Sequence, residues 1–126
     1  MANTFKAYSK SGVGTSLTTA YQLELGTGIA TKTAIVIGIA LSNTHGSPIN
    51  VDVYIDRPSA GTANSPTEDV YLAKNIPIPS GSTLEVMAGQ KLIMEYNSSG
   101  DAIKVKSDTA SSLDVIVNAL EITTST

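Results

Sequence analysis

Cysteine and tryptophan are missing from the 126 residues, histidine and phenylalanine occur once each, and charged side chains make up only 15%. Each shortage excludes something. Without thiols, no disulfide constrains the unfolded chain and no thiolate site holds a structural zinc, and nothing points to an oxidising compartment. The one histidine, His45, sits in the turn-forming run Asn43-Thr44-His45-Gly46-Ser47, where a Ser-His-Asp device would find no scaffold for its base. Aromatic residues at 5% give little material for a sugar platform, with Tyr8, Tyr54, Tyr71 and Tyr96 as the candidates. Low charge leaves much of the surface to Ser, Thr, Asn and Gly, and such surfaces often meet other protein.

A net charge of −3 argues against nucleic acid, because binding a polyanion needs a basic patch that releases counterions. The eight basic residues are scattered. No apolar run approaches the ~18 residues of a membrane span. The first residues, Met1-Ala2-Asn3-Thr4-Phe5-Lys6, lack a signal peptide's apolar middle, so synthesis in the cytoplasm without export is expected.

What is present is alternation. In Thr33 to Arg57, Ile35, Ile37, Ile39 and Leu41 fall on one side of an extended backbone. Ile49, Val51, Val53 and Ile55 resume the pattern after the polar run Ser42 to Pro48. Period two means strand, and two such strands with a polar connection predict a hairpin. Tyr21, Leu23 and Leu25 form a shorter strand, and Val70 to Lys74 another. Pro77 and Pro79 remove backbone donors, placing their segment at a sheet edge or on a crossing between sheets. Thr83–Met87 and Lys91–Tyr96 predict a second hairpin, partly buried on both sides at Ile93. In Ala102 to Lys106, Ile103 and Val105 point inward and Lys104 and Lys106 outward, while Leu113 to Ile122 is long and apolar in its middle.

No helical period is sustained. Turn clusters recur as in a Greek key, so the expected fold is all-β, a two-sheet antiparallel sandwich or jelly roll of about seven to nine short strands. One domain is expected over 20–126. Residues 1–19, rich in Ser, Thr, Gly and Lys, read as an extended N-terminal arm with too little apolar surface to offset its own ordering. Phe5 to Ser9 has the alternation of a strand that would add to a neighbour's exposed edge.

Candidate chemistry is thin. Gly12-x-Gly14 opens no helix and so is no nucleotide fingerprint. Glu68-Asp69, Asp101 and Asp108 lie in or beside loops and match neither a calcium loop nor a facing carboxylate pair. Asn97-Ser98-Ser99 fits the glycosylation pattern but reads as a turn, and Arg57 to Thr67, with Pro58 and Pro66, is the best contact loop. No catalytic residue, metal site or cofactor is assigned, and no enzyme activity is expected.

The second half, Asn75-Ile76-Pro77-Ile78-Pro79-Ser80-Gly81-Ser82-Thr83-Leu84 through Lys91-Leu92, then Gly100-Asp101-Ala102-Ile103-Lys104-Val105 and Leu113-Asp114-Val115-Ile116-Val117 with Leu120-Glu121-Ile122, resembles small virion structural proteins of tailed bacteriophages. The segment Thr33 to Val53 is similar to them as well. The resemblance implies a β-sandwich in a phage virion, as a capsid decoration or cement protein or a neck or tail component. Its implied partners are other particle proteins, such as the major capsid, neck or tail proteins, and it carries over no catalytic residue. The rival expectation is a host-receptor or glycan-binding module on the same particle. Low charge and apolar strands such as Leu113 to Ile122, read as sheet edges, predict a homo-oligomer, with a trimer the expected form. Ile37, placed among Ile35, Ile39, Val51 and Val53, predicts that Ile37→Asp prevents folding.

Overall fold

Alternation pays off only where one side of each strand finds a second sheet, and the computed structural model, which describes residues 1–58, 68–87, 89–96 and 99–126, shows two sheets doing this. The strands are β1 (Ala2–Val13), β2 (Thr18–Gln22), β3 (Ile29–Asn43), β4 (Ile49–Asp56), β5 (Val70–Ile78), β6 (Thr83–Glu85), β7 (Leu92–Glu95), β8 (Ala102–Ser107) and β9 (Leu113–Ser125). Sheet A has the order β1-β9-β3-β6, with β7 also on β3; sheet B has the order β2-β8-β4-β5. All pairings are antiparallel. With β6 and β7 taken as one interrupted strand, this is the wiring of a jelly roll. The all-β sandwich read from the sequence is therefore the fold.

The core lies between the sheets. Val36, Ile39 and Leu41 from β3 and Val115 and Val117 from β9 belong to one buried cluster with Val51, Val53 and Ile55 of β4 and Ile103 and Val105 of β8. Each such side chain contributes ~1.5–3 kcal/mol by its removal from water. The inward and outward sides of β8 are as the alternation requires, and β5, which carries Pro77, is an edge strand of sheet B.

Several expectations are corrected. Thr33 to Arg57 is not a hairpin: β3 lies in sheet A and β4 in sheet B, so the turn between them crosses the sandwich. Asn43 explains why that corner holds. Its buried amide donates to the carbonyls of Ser47 and Ile78, at 3.0 and 2.9 Å, and its Oδ1 accepts the His45 N–H at 2.8 Å. β6 and β7 likewise form no hairpin with each other, since both pair with β3 at successive stretches. Leu113–Ser125 is a central strand between β1 and β3 rather than an edge.

The largest correction concerns Ile37. The β3–β9 register shifts between Val36 and Gly38, so one extra residue is accommodated there. A one-residue slip reverses which side points inward. Ala34 and Val36 are therefore buried before the bulge and Ile39 and Leu41 after it, while Ile37 is 45% exposed. Ile93, expected to be covered on both sides, is 48% exposed.

The N-terminal stretch also differs from expectation. Ala2–Val13 does form a strand, but it pairs with β9 of its own chain, from Ala2 opposite Thr123 to Val13 opposite Leu113. Thr18 and Thr19, placed in the arm by composition, begin β2. Composition missed this because β1 is held by its backbone ladder and two side chains, Tyr8 and Val13, while the rest of the strand stays exposed.

Candidate functional site

Because partners directly opposite in a sheet share a face, the register fixes what sheet A shows to solvent. Phe5 lies opposite Leu120, Leu120 opposite Ile35, and Ile35 opposite Ile93. These four make an apolar row across β1, β9, β3 and β7. Ile37, Ile116 and Ile122 flank it on the same face. Phe5, the only phenylalanine, is 76% exposed. The acids at the margin, Glu85 and Asp114, accept backbone N–H groups from Ile39 at 3.1 Å and Gly12 at 3.0 Å.

A shallow groove of about 550 Å³ runs along this face. Its floor is made by small or polar residues, Ala7, Gly38 and Asn118, and Phe5, Ile37 and Met87 stand around it. Gly38 is required by neither backbone nor crowding: a Cβ there would meet Glu85 Oε1 at 3.5 Å, an ordinary contact.

The outer face of sheet B has a different character. Lys104 pairs with Asp56 at 2.9 Å, and Lys74 with Asp52 at 3.3 Å while lying over the Tyr71 ring. Tyr54 packs edge-on against Tyr71 and donates to Asp69 Oδ2 at 2.9 Å. The Arg57 N–H and the Tyr54 hydroxyl hold the Asp69 carboxyl below the usual range. These groups satisfy one another.

Two buried carboxylates lie elsewhere. Glu121, on the inner side of β9, accepts the hydroxyls of Tyr21 at 2.6 Å and Tyr8 at 2.8 Å, with the Lys32 ammonium 3.5 Å away. Burial opposes its ionisation, but the two tyrosines and the lysine outweigh this and lower its pKa. Burial first, and then the Glu121 carboxylate, push Tyr8 up to about 12 and Tyr21 higher still. The rings stack with centroids 4.3 Å apart, so this network fastens β1 to the body. Asp101 accepts from the Glu95 N–H at 3.0 Å and Arg57 Nε at 3.3 Å, yet burial keeps its pKa raised. Both carboxylates are occupied in holding strands together.

The candidates weighed from sequence are not brought together. His45 lies in an exposed turn whose carbonyl accepts the Ser80 hydroxyl at 2.7 Å. Asp108 accepts the Asn50 N–H at 3.1 Å, at the β4 end near the β8–β9 turn. Tyr8 is committed to Glu121, and Tyr54 and Tyr71 to sheet B. The contact loop falls largely on residues 59–67, and Asn97 and Ser98 of the glycosylation pattern also lie outside the described residues. Among the described residues no group of three or more His, Asp or Glu side chains is placed to hold a metal ion. Among the described residues no helix is long and apolar enough to cross a membrane. The feature that sequence reading missed is the outer face of sheet A; Ile116 and Leu120, out of phase with Val115 and Val117, were the signal for it.

Family models, curated proteins and solved structures contain no match to this chain.

Proposed function

We propose that this protein is a structural subunit of a bacteriophage virion, acting by self-association and by binding other particle proteins, as a capsid decoration or cement or a neck or tail component. The observation that supports a contact role most directly is the row Phe5–Leu120–Ile35–Ile93, flanked by Ile37 and Ile116, on the outer face of sheet A. Apolar patches of this extent mark interaction sites more often than solvated surface. Four strands ~4.8 Å apart and the span Asp114 to Ile122 at ~3.4 Å per residue give a flat area of about 500 Å² before side-chain relief, the order of the ~800 Å² per partner in a standard interface. The virion assignment is supported by the sequence resemblance described above.

The test has two parts. Light scattering on the purified chain is expected to give a closed oligomer, and particles assembled without the protein are expected to take it up on mixing and sedimentation. Ile93→Asp, on an exposed position, is expected to remain folded and lose uptake. A monodisperse monomer that never sediments with particles overturns the proposal. The groove with Phe5, Asn118 and Glu85 favours one second reading, a glycan-binding module, for which a neutral oligosaccharide array is the check.

A further inference from the structure

β1 ends sheet A, and among the described residues no other strand pairs with its outer side. Such an edge presents a row of backbone donors and acceptors that a second strand can satisfy. We infer that this edge is closed by β1 of a second copy, antiparallel about a two-fold axis through Ala7. The inference rests on the self-association proposed above and names its contact.

The lysines select the register. A two-fold axis normal to the sheet pairs only residues of the same parity, so that both face the same way. Centring on Lys6 puts Lys6 opposite Lys6 of the second copy, and centring on Tyr8 puts Lys6 opposite Lys10. Like charges directly opposite are destabilising. Centring on Phe5 or Ser9 avoids this but shortens the overlap. Centring on Ala7 pairs the strands over Ala2–Gly12, with Lys6 opposite Tyr8 and Lys10 opposite Thr4. Of these pairs, Thr4 to Lys10 fall in the regular part of the strand, and the outermost run into the register shift between Lys10 and Val13, where Gly12 takes a φ of +65°.

The same register accounts for Phe5. It falls opposite Ser9 of the second copy, whose own neighbour on β9 is Ile116, 40% exposed. A phenyl ring can reach across a serine to that isoleucine, so two exposed apolar residues cover each other twice per dimer. The small side chain of Ala7 suits the axis itself. The pairing gives even-numbered assemblies in place of the trimer expected from composition, and it leaves the middle of the sheet A face open to another particle protein.

The chain has no cysteine, which makes the test direct. Opposed residues in antiparallel strands have Cα atoms ~4.5–5.5 Å apart, within disulfide reach. Oxidised Ala7→Cys is expected to run almost entirely as a covalent dimer. Phe5→Cys and Ser9→Cys alone are expected to cross-link at the low level of Ser16→Cys, and the double variant Phe5→Cys/Ser9→Cys efficiently. Ala7→Lys, which sets two ammonium groups on the axis, is expected to shift the light-scattering mass to the monomer with unchanged circular dichroism. Cross-linking of Ala7→Cys no better than Ser16→Cys overturns the two-fold pairing. If the wild-type chain is still oligomeric in that case, self-association stands and only this contact fails; if it is monomeric, both fail.

Discussion

On the outer face of sheet B, Asp52, Asp56, Lys74 and Lys104 pair with one another and two tyrosines pack above them. On the outer face of sheet A, the corresponding positions of β3, β7 and β9 hold Ile35, Ile37, Ile93, Ile116 and Leu120. Both faces come from strands of the same period, packed on the same core. The difference teaches that alternation separates inside from outside but does not by itself make the outside polar. Apolar residues kept on a face toward water are what the contact proposed above would cover.

The sharpest way to break this comparison is to put the same charge on the two sides of one strand. Val36→Asp buries a carboxylate among Ala34, Ile39 and Met94 with no cation in the buried cluster, an uncompensated charge that costs ~3–5 kcal/mol, out of a total stability of ~5–15 kcal/mol for a typical domain. It should yield unfolded or insoluble protein. Ile37→Asp, one residue along but outward, should shift the denaturation midpoint by no more than ~1 kcal/mol while weakening uptake onto particles. Chemical denaturation with sedimentation reads both. Unfolding by Ile37→Asp would mean that the bulge between Val36 and Gly38 is misplaced.

That pair of substitutions also shows where sequence reading reached its limit. The strands around Ile35, Ile49, Ile103 and Leu113 were legible because alternation is local. The bulge was not, since Ile35, Ile37, Ile39 and Leu41 keep perfect period two and only pairing with β9 reveals the extra residue. Sheet membership was hidden for a similar reason. The polar run Ser42 to Pro48 looks the same whether it closes a hairpin or crosses the sandwich, and what decides is Asn43 bonding Ile78, far away in sequence. Gly100 is a third case: a Cβ there would lie 1.7 Å from the Leu23 carbonyl oxygen, a contact between segments that no local pattern records.

The next largest effect should appear in alkali. Tyr8 and Tyr21 have pKa values raised in the folded chain, so their contribution is fully present below the unfolded value near 10 and is lost as pH rises through the folded one, about 12 for Tyr8. Stability should therefore fall from ~pH 10 upward, with β1 released from Tyr21 and Glu121. On the acid side the signs oppose. Glu121, lowered, loses stabilisation as pH falls through its folded pKa, whereas Asp101, raised, sheds a burden as pH falls. The alkaline flank should be the steeper, and Tyr8→Phe should flatten it. Equal flanks in wild type and variant would show that Tyr8 does not anchor β1.

On sheet B a middle-sized effect is expected at Asp52. Its carboxylate accepts the Asn75 N–H at 2.7 Å, where the chain adopts a φ of +54°, and also meets Lys74. Asp52→Ala leaves that N–H without its acceptor and should cost ~1–3 kcal/mol, and Asp52→Asn, which keeps an acceptor, less than half of that. Denaturation midpoints decide it. Neither variant should change particle uptake, because the paired charges of this face are satisfied within the chain.

The smallest effect should come from Lys104→Gln. The Lys104–Asp56 pair is short at 2.9 Å, but about a third of the lysine and somewhat less of the aspartate side chain face solvent, with side-chain exposures of 31% and 28%. Exposed ion pairs contribute ~0–1 kcal/mol and fade with salt. The variant should differ from wild type by less than ~1 kcal/mol at low salt and by nothing resolvable at ~1 M salt, with the same oligomer mass. A larger loss, or a change in mass or uptake, would place a contact on sheet B as well. The contrast between a self-satisfied face and an unsatisfied one would then disappear.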